Sequence, residues 1–287
     1  MPRIIPVFIL TLLIGNMFAA GVSDSISLSR KINPKNIPIK PNNQLNTDRP
    51  SFSDNSSVLP TGGFQNENGF QINFIQKPNS PTNYTGILPF SSFRLSFNKR
   101  MEVRLATAIL RDPQNNLNPY GISDLEVGFK FQIKENIAWI SHLGIPNGSD
   151  GYSRGTPYFT NKLSATLPIG KTALLINTGL TLFKNPTTDL NQQNWLSTLV
   201  ISREINSKTF VFMEALLQNQ ISGSGLNRTL RQAPGMDFGF ARKFLPNTQI
   251  DLSIGRVDKQ PFVNLGFSWG AFKSTIRKIR PLITPDS

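Results

Sequence analysis

From about residue 63 to residue 272 the chain is a succession of short segments that are apolar at every second position. Side chains along a β-strand point to opposite faces with period two, so this alternation puts one face in an apolar medium and the other in a polar one. In residues 100–110, Met101, Val103, Leu105 and Ile109 share one face and Glu102, Arg104, Ala106 and Ala108 the other. In residues 122–134, Leu125, Val127, Phe129, Phe131 and Ile133 oppose Glu126, Gly128, Lys130, Gln132 and Lys134. Val263, Leu265, Phe267 and Trp269 oppose Asn264, Gly266, Ser268 and Gly270. Repeated along most of a chain, this is the pattern of a transmembrane β-barrel.

Twelve strands are expected, near 63–76, 88–98, 100–110, 121–134, 136–145, 157–167, 172–183, 194–204, 208–219, 235–243, 248–256 and 261–272. Most approach the ~9–11 residues that a tilted strand needs to cross a bilayer. The connections alternate in length. Tight turns at 98–100, 134–136, 168–171, 205–207 and 245–247 carry turn-forming residues. Between them lie long polar connections at 77–86, 111–120, 146–156, 184–193 and 220–232. Outer-membrane barrels put short turns in the periplasm and long loops outside; a soluble β-sandwich has no reason to alternate them. The fold class expected is therefore all-β, an antiparallel up-and-down barrel of about twelve strands.

The start of the chain fits an exported protein. Arg3, an apolar run and the small residues Ala19, Ala20 and Gly21 form a signal-peptide pattern over 1–21. Residues 22–61 are rich in Ser, Asn, Pro and Lys and cannot bury a core of their own. They are expected to form an extended periplasmic arm, with a tuck of its last part into the barrel mouth left open. The barrel follows over 62–272 and a basic tail over 273–287.

The 21 phenylalanines suit a lipid-facing wall with aromatic girdles. The formal charge of +13 points to anionic surroundings. Lys and Arg are scattered over arm, connections and tail with no nucleic-acid-binding motif, so outer-membrane lipid and lipopolysaccharide are the expected partners, and nucleic acid is not. The absence of cysteine removes disulfides and thiolate metal sites.

Residues 47–71, TDRPSFSDNSSVLPTGGFQNENGFQ, resemble the opening of a family of bacterial outer-membrane barrels labelled transporters of the MetA pathway of phenol degradation. The matching residues include Thr47, Asp48, Arg49, Pro50, Ser56, Pro60, Gly62, Gln65, Glu67, Gly69 and Phe70. Residues 97–107, 121–133, 250–257 and 263–270 are similar to the family as well. The resemblance implies a barrel and solute passage. The basic tail departs from the family's terminal aromatic, leaving Phe272 as the residue for the barrel-assembly machinery to read.

No catalytic constellation emerges. His142, the single histidine, faces the lumen by parity, whereas Ser141 points outward; nucleophile and base would need to meet. A lone His without Cys does not make a zinc site, and no cofactor is expected. Parity turns Glu67, Arg94, Glu102, Arg104, Glu126, Lys130, Lys162, Glu214, Asp237 and Asp251 inward. Among these, Arg94, Glu102, Arg104, Glu126 and Lys130 are the candidates for setting the selectivity of a channel for small solutes. A closed barrel with a structural or partner-binding role is the alternative, and an intramembrane lipid enzyme the least favoured. Parity also makes Ala106 and Gly128 lumen positions where an arginine should harm assembly less than at Leu105 or Phe129.

Overall fold

A computed structural model of the chain describes residues 45–49, 51–75, 83–114, 118–223 and 229–272. The expected signal peptide, most of the arm and the basic tail lie outside these residues. The described residues contain strands β1 (Phe64–Ile75), β2 (Asn83–Asn98), β3 (Met101–Arg111), β4 (Tyr120–Ile122), β5 (Leu125–Lys134), β6 (Ile137–Ile145) and β7 (Tyr158–Ile169). They continue with β8 (Thr172–Lys184), β9 (Asn191–Asn206), β10 (Thr209–Ser222), β11 (Thr229–Leu245), β12 (Thr248–Val257) and β13 (Gln260–Ala271). Apart from β4 and β5, consecutive strands pair antiparallel, and β1 closes the ring by pairing with β13. The short β4 and β5 both pair with β3 and form one stave interrupted at Ser123-Asp124, so the architecture is a closed twelve-stave antiparallel barrel.

The interruption is anchored. The Ala108 amide donates to Ser123 Oγ (2.9 Å), and the Asp124 carboxylate accepts from the amides of Gly148 and Arg154 (3.0 and 2.9 Å). This ties the connection after β6 to the rim.

Several strands run further than the sequence reading at the long-connection end. β2, β9, β10 and β11 begin or end several residues beyond the expected bounds, shortening the connections at 77–86, 184–193 and 220–232. Ladder pairing continues past the bilayer, where both faces are polar and the alternation that marks a strand disappears.

The outer wall carries the large apolar side chains. Phe93, Leu105, Leu143, Phe159, Leu199 and Phe238 are exposed along it, as a lipid-facing band requires. Aromatic residues mark both rims: Phe97, Trp139, Phe244 and Trp269 toward the short turns, and Phe74, Tyr84, Tyr120 and Trp195 toward the long connections. Much of the inner wall is small or polar, with Ala106, Ala138, Ala241, Ser92, Ser164, Ser253 and Ser268 all buried, although Ile140, Phe212, Leu216 and Phe262 are buried there too. That leaves room for another part of the chain.

Candidate functional site: the occupied lumen and its vestibule

The space is filled by the last part of the arm. Residues 45–61 enter at the short-turn end, where Lys243 Nζ donates to the Leu45 carbonyl (2.9 Å). They leave at the same end, where the Gly62 amide donates to the Ser96 carbonyl (2.8 Å). Between these points the segment bonds to the inner faces of most staves. Ser53 Oγ meets Thr198 on β9 and donates to Glu214 on β10 (2.6 Å). The Asp54 amide donates to Asn177 on β8 (2.8 Å), and the Leu59 amide to Glu102 on β3 (2.9 Å). Phe52 packs edge-on against Phe262 of β13 at 5.7 Å between ring centroids.

A polar, proline-rich stretch cannot make an apolar core, and here it does not need one. Its backbone groups take side-chain partners from the wall, as buried polar groups must. This explains the matched opening residues. Thr47 Oγ1 accepts from Gln249 (2.8 Å) and donates to the Arg49 carbonyl (2.9 Å). Gln65 Nε2 donates to the Asn46 carbonyl (3.0 Å) and to Glu67 (2.7 Å), and Glu67 accepts from the Asp48 amide (3.1 Å). Pro50 lies outside the described residues.

The guanidinium of Arg49 lies on the backbone between Gly69 and Gly266, which face each other across β1 and β13. A Cβ on Gly69 would sit 1.9 Å from Arg49 Nη1, and one on Gly266 2.4 Å from its Nε. Only glycine at both positions admits this approach. From the slot Arg49 reaches Asp251 (3.1 Å) and Asn264 (2.6 Å).

The inward charges predicted by parity all line the lumen, and the arm joins most of them. Arg94 binds Glu67 (2.6 Å), Glu102 (2.8 Å) and Asp48 (3.2 Å). Arg104 binds Asp48 and reaches Asp54 at 2.9 Å, Lys130 binds Asp48 at 3.0 Å, and Lys162 binds Asp54. Burial would push the Asp54 carboxyl up, but the charges of Lys162, Arg104 and Lys130 outweigh it and hold the group well below the usual carboxylate range. Glu126 stands apart, accepting from the Tyr158 hydroxyl (2.9 Å). Asp48, Ser53 and Asp54, which hold the network together, were not assigned this role from sequence. They sit in a segment without periodicity, and the inward charges on the wall are of mixed sign, so they could pair with one another without the arm.

Above the arm, toward the long connections, the lumen opens into a cavity of about 390 Å³. Its floor is Asp48, Arg49 and Ser51 to Asp54; its walls include Glu126, His142, Thr160, Lys162, Thr181 and Asn194. The segment that floors this vestibule bonds to β1, β2, β3, β5, β7, β8, β9, β10, β11, β12 and β13.

The family described as "Putative MetA-pathway of phenol degradation" matches residues 47–268. The fold is similar to the COG4313 outer membrane channel from Pseudomonas putida F1, with a TM-score of 0.58, 13% identity, and coverage of 78% of this chain and 99% of that one. More distant likenesses are the KdgM porin in complex with disordered oligogalacturonate (TM-score 0.46, 9% identity, 74% and 99% coverage) and the translocator domain of autotransporter NalP from Neisseria meningitidis (TM-score 0.44, 10% identity, 74% and 89% coverage). No curated protein matches the chain. Closed barrel, lipid-facing outer wall and family match together place the protein in the bacterial outer membrane, and the chain belongs to the outer-membrane barrel family of the MetA pathway of phenol degradation.

Proposed function

We propose that the protein is a channel for passive passage of small solutes, with residues 45–61 as its barrier. The observation that carries this reading is a vestibule of about 390 Å³ above a barrier in which the apolar contact of Phe52 with Phe262 is outnumbered by hydrogen bonds and ion pairs. Such contacts exchange for water at modest net cost, whereas a barrel serving only as a wall could fill its lumen with apolar side chains. Passage requires the segment to shift. Arg94, Glu102, Arg104 and Lys130 then line the route, and their charges tune which ions cross. Glu126 faces the vestibule and acts first.

The test is conductance of the purified protein in a planar bilayer, for wild type and for a variant lacking residues 45–58. Discrete conductance that grows in the deletion variant supports the channel. The competing reading, a closed barrel, draws on the equal numbers of cations and carboxylates in the ion-paired network, which has no ion pair to gain by opening. Absence of conductance in both proteins favours it.

A further inference from the structure

The lumen charges divide into a balanced network and a remainder. The cations Arg49, Arg94, Arg104, Lys130 and Lys162 are all ion-paired, and their partners Asp48, Asp54, Glu67, Glu102 and Asp251 equal them in number. Every arginine, lysine and aspartate lining the vestibule belongs to this network, and so does Glu67. Glu126 does not. Among the described residues it forms no ion pair, and its one hydrogen bond comes from a neutral phenol. The rim cation Arg154 stacks on the rings of Tyr158 (4.7 Å) and Phe183 (4.5 Å). A carboxylate facing a partly enclosed cavity without a counter-ion leaves a local negative potential, strengthened by the low-dielectric wall.

The surroundings of Glu126 are rich in acceptors. The register runs His142↔Thr160, Thr160↔Thr181 and Thr181↔Asn194 across β6, β7, β8 and β9, so these side chains form one band on the inner wall. Glu126 sits one step above the band, opposite Gly144. A Cβ at Gly128 would meet the His142 ring at 2.2 Å, and one at Gly144 the Tyr158 ring at 2.1 Å. Both rings therefore lie flat on the wall and leave the cavity clear in front of the carboxylate. Thr160 and Thr181 share a hydrogen bond (2.9 Å), while Asn194 Oδ1 is buried without a partner. Ile87, Phe90 and Leu196 give the cavity an apolar side.

We propose that the vestibule is a binding subsite for a small primary alkylammonium, with Glu126 as counter-ion, the Thr160–Thr181–Asn194 band as hydrogen-bond acceptors and the apolar side for the alkyl chain. An ammonium brings donors and no acceptor, which suits a cavity lined by an unpaired carboxylate and an unpartnered amide oxygen. A carboxylate solute of the same size would face Glu126 with like charge, and the network's cations are already paired. The proposal draws on the channel reading only for the subsite's place on a route; binding itself requires no opening of the barrier.

The probes are n-butylammonium, n-butanol and n-butyrate, added to the folded protein in detergent and followed by ligand-observed NMR. Wild type is expected to bind butylammonium saturably and at least about ten-fold more tightly than butanol or butyrate, the scale of a charge-assisted hydrogen bond. Glu126→Gln is expected to remove that preference and Glu126→Asp to keep most of it, with folding checked by heat-modifiable gel mobility. Equal binding of the three probes by wild type, or no butylammonium binding, overturns the proposal without any variant being needed. So does an unchanged preference in folded Glu126→Gln. Conductance separates the two readings: saturable binding without conductance removes the channel and keeps the subsite, and conductance without ammonium preference does the reverse.

Discussion

Arg94 and Arg104 stand directly opposite each other in the β2–β3 register, and one carboxylate oxygen of Asp48 binds both guanidiniums. Cross-strand neighbours lie about 4.5–5.5 Å apart at Cβ, where like charges repel. The pair is tolerable because the arm brings a carboxylate between them and Glu102 adds another from the wall. The wall thus supplies a surplus of positive charge at this height, and the segment from 45 to 61 supplies its complement. Lumen and arm form one electrostatic unit.

Removing the bridging carboxylate should release the arm. Asp48→Ala leaves Glu102 as the one carboxylate that Arg94, Arg104 and Lys130 still share in a buried site, and breaking such a buried pairing costs about 3–5 kcal/mol. The barrel ladder does not depend on Asp48, so the cost falls on docking of the arm. The expected outcome is a barrel that still shows heat-modifiable mobility, with faster hydrogen exchange over residues 51–59 and higher conductance. Exchange matching wild type would show that Asp48 does not hold the segment.

A second like-charge pair has no such mediator. Glu214 faces Asp237 across β10 and β11, and Glu214 accepts from the Phe52 amide (2.8 Å) and Ser53 Oγ (2.6 Å). Among the described residues Asp237 forms no ion pair, and its polar neighbours are Glu214 and Ser253. Asp237→Asn gives Glu214 a permanent donor where two carboxyl groups would otherwise have to share a proton, and is expected to stabilise by about 1 kcal/mol. A urea unfolding midpoint lower than that of wild type would contradict this.

The wall itself distinguishes outside from inside. Leu105 is exposed on the outer face, so Leu105→Arg is expected to cost roughly 2–4 kcal/mol near the membrane midplane. Ala106→Ser, on the small inner face beside it, should cost little. Gly128 departs from the parity expectation that a lumen position accepts arginine. A Cβ there would lie 2.3 Å from the Ser141 carbonyl oxygen as well as against the His142 ring. Gly128→Arg is therefore expected to harm assembly at least as much as Leu105→Arg, as folded yield in lipid vesicles would show.

Period two placed Arg94, Glu102, Arg104, Glu126 and Lys130 on the lumen face because each lies in a strand with one apolar neighbour on either side. The same reasoning says nothing about Asp54 or Ser53, whose conformation is set by partners far away in sequence and not by any local repeat. It also could not distinguish a lumen position with open space, such as Ala106, from one covered by a flat ring, such as Gly128. That difference depends on register between strands, and alternation along one strand is silent on it. The matched residues Asp48, Arg49 and Gly69 were visible as a motif, but their reason, a guanidinium seated on two facing glycines and a carboxylate between two arginines, required the closed ring.

Acid should test the arm through Asp54. Lys162, Arg104 and Lys130 hold its carboxyl well below the usual range against the opposing effect of burial. A depressed folded-state pKa means the contribution to docking is complete above the unfolded value of about 3.9 and is lost only as pH falls through the folded value. Docking of residues 51–59 should therefore persist from pH 7 to about 4 and weaken below it. Asp54→Asn removes the group's titration and leaves Lys162 unpaired, so its docking should already be weaker at pH 7. Hydrogen exchange over residues 51–59, corrected for the intrinsic rate at each pH, reads both. Loss of wild-type protection between pH 6 and pH 5 would show that the arm is held by some other titrating group and not by the Asp54 ion pairs.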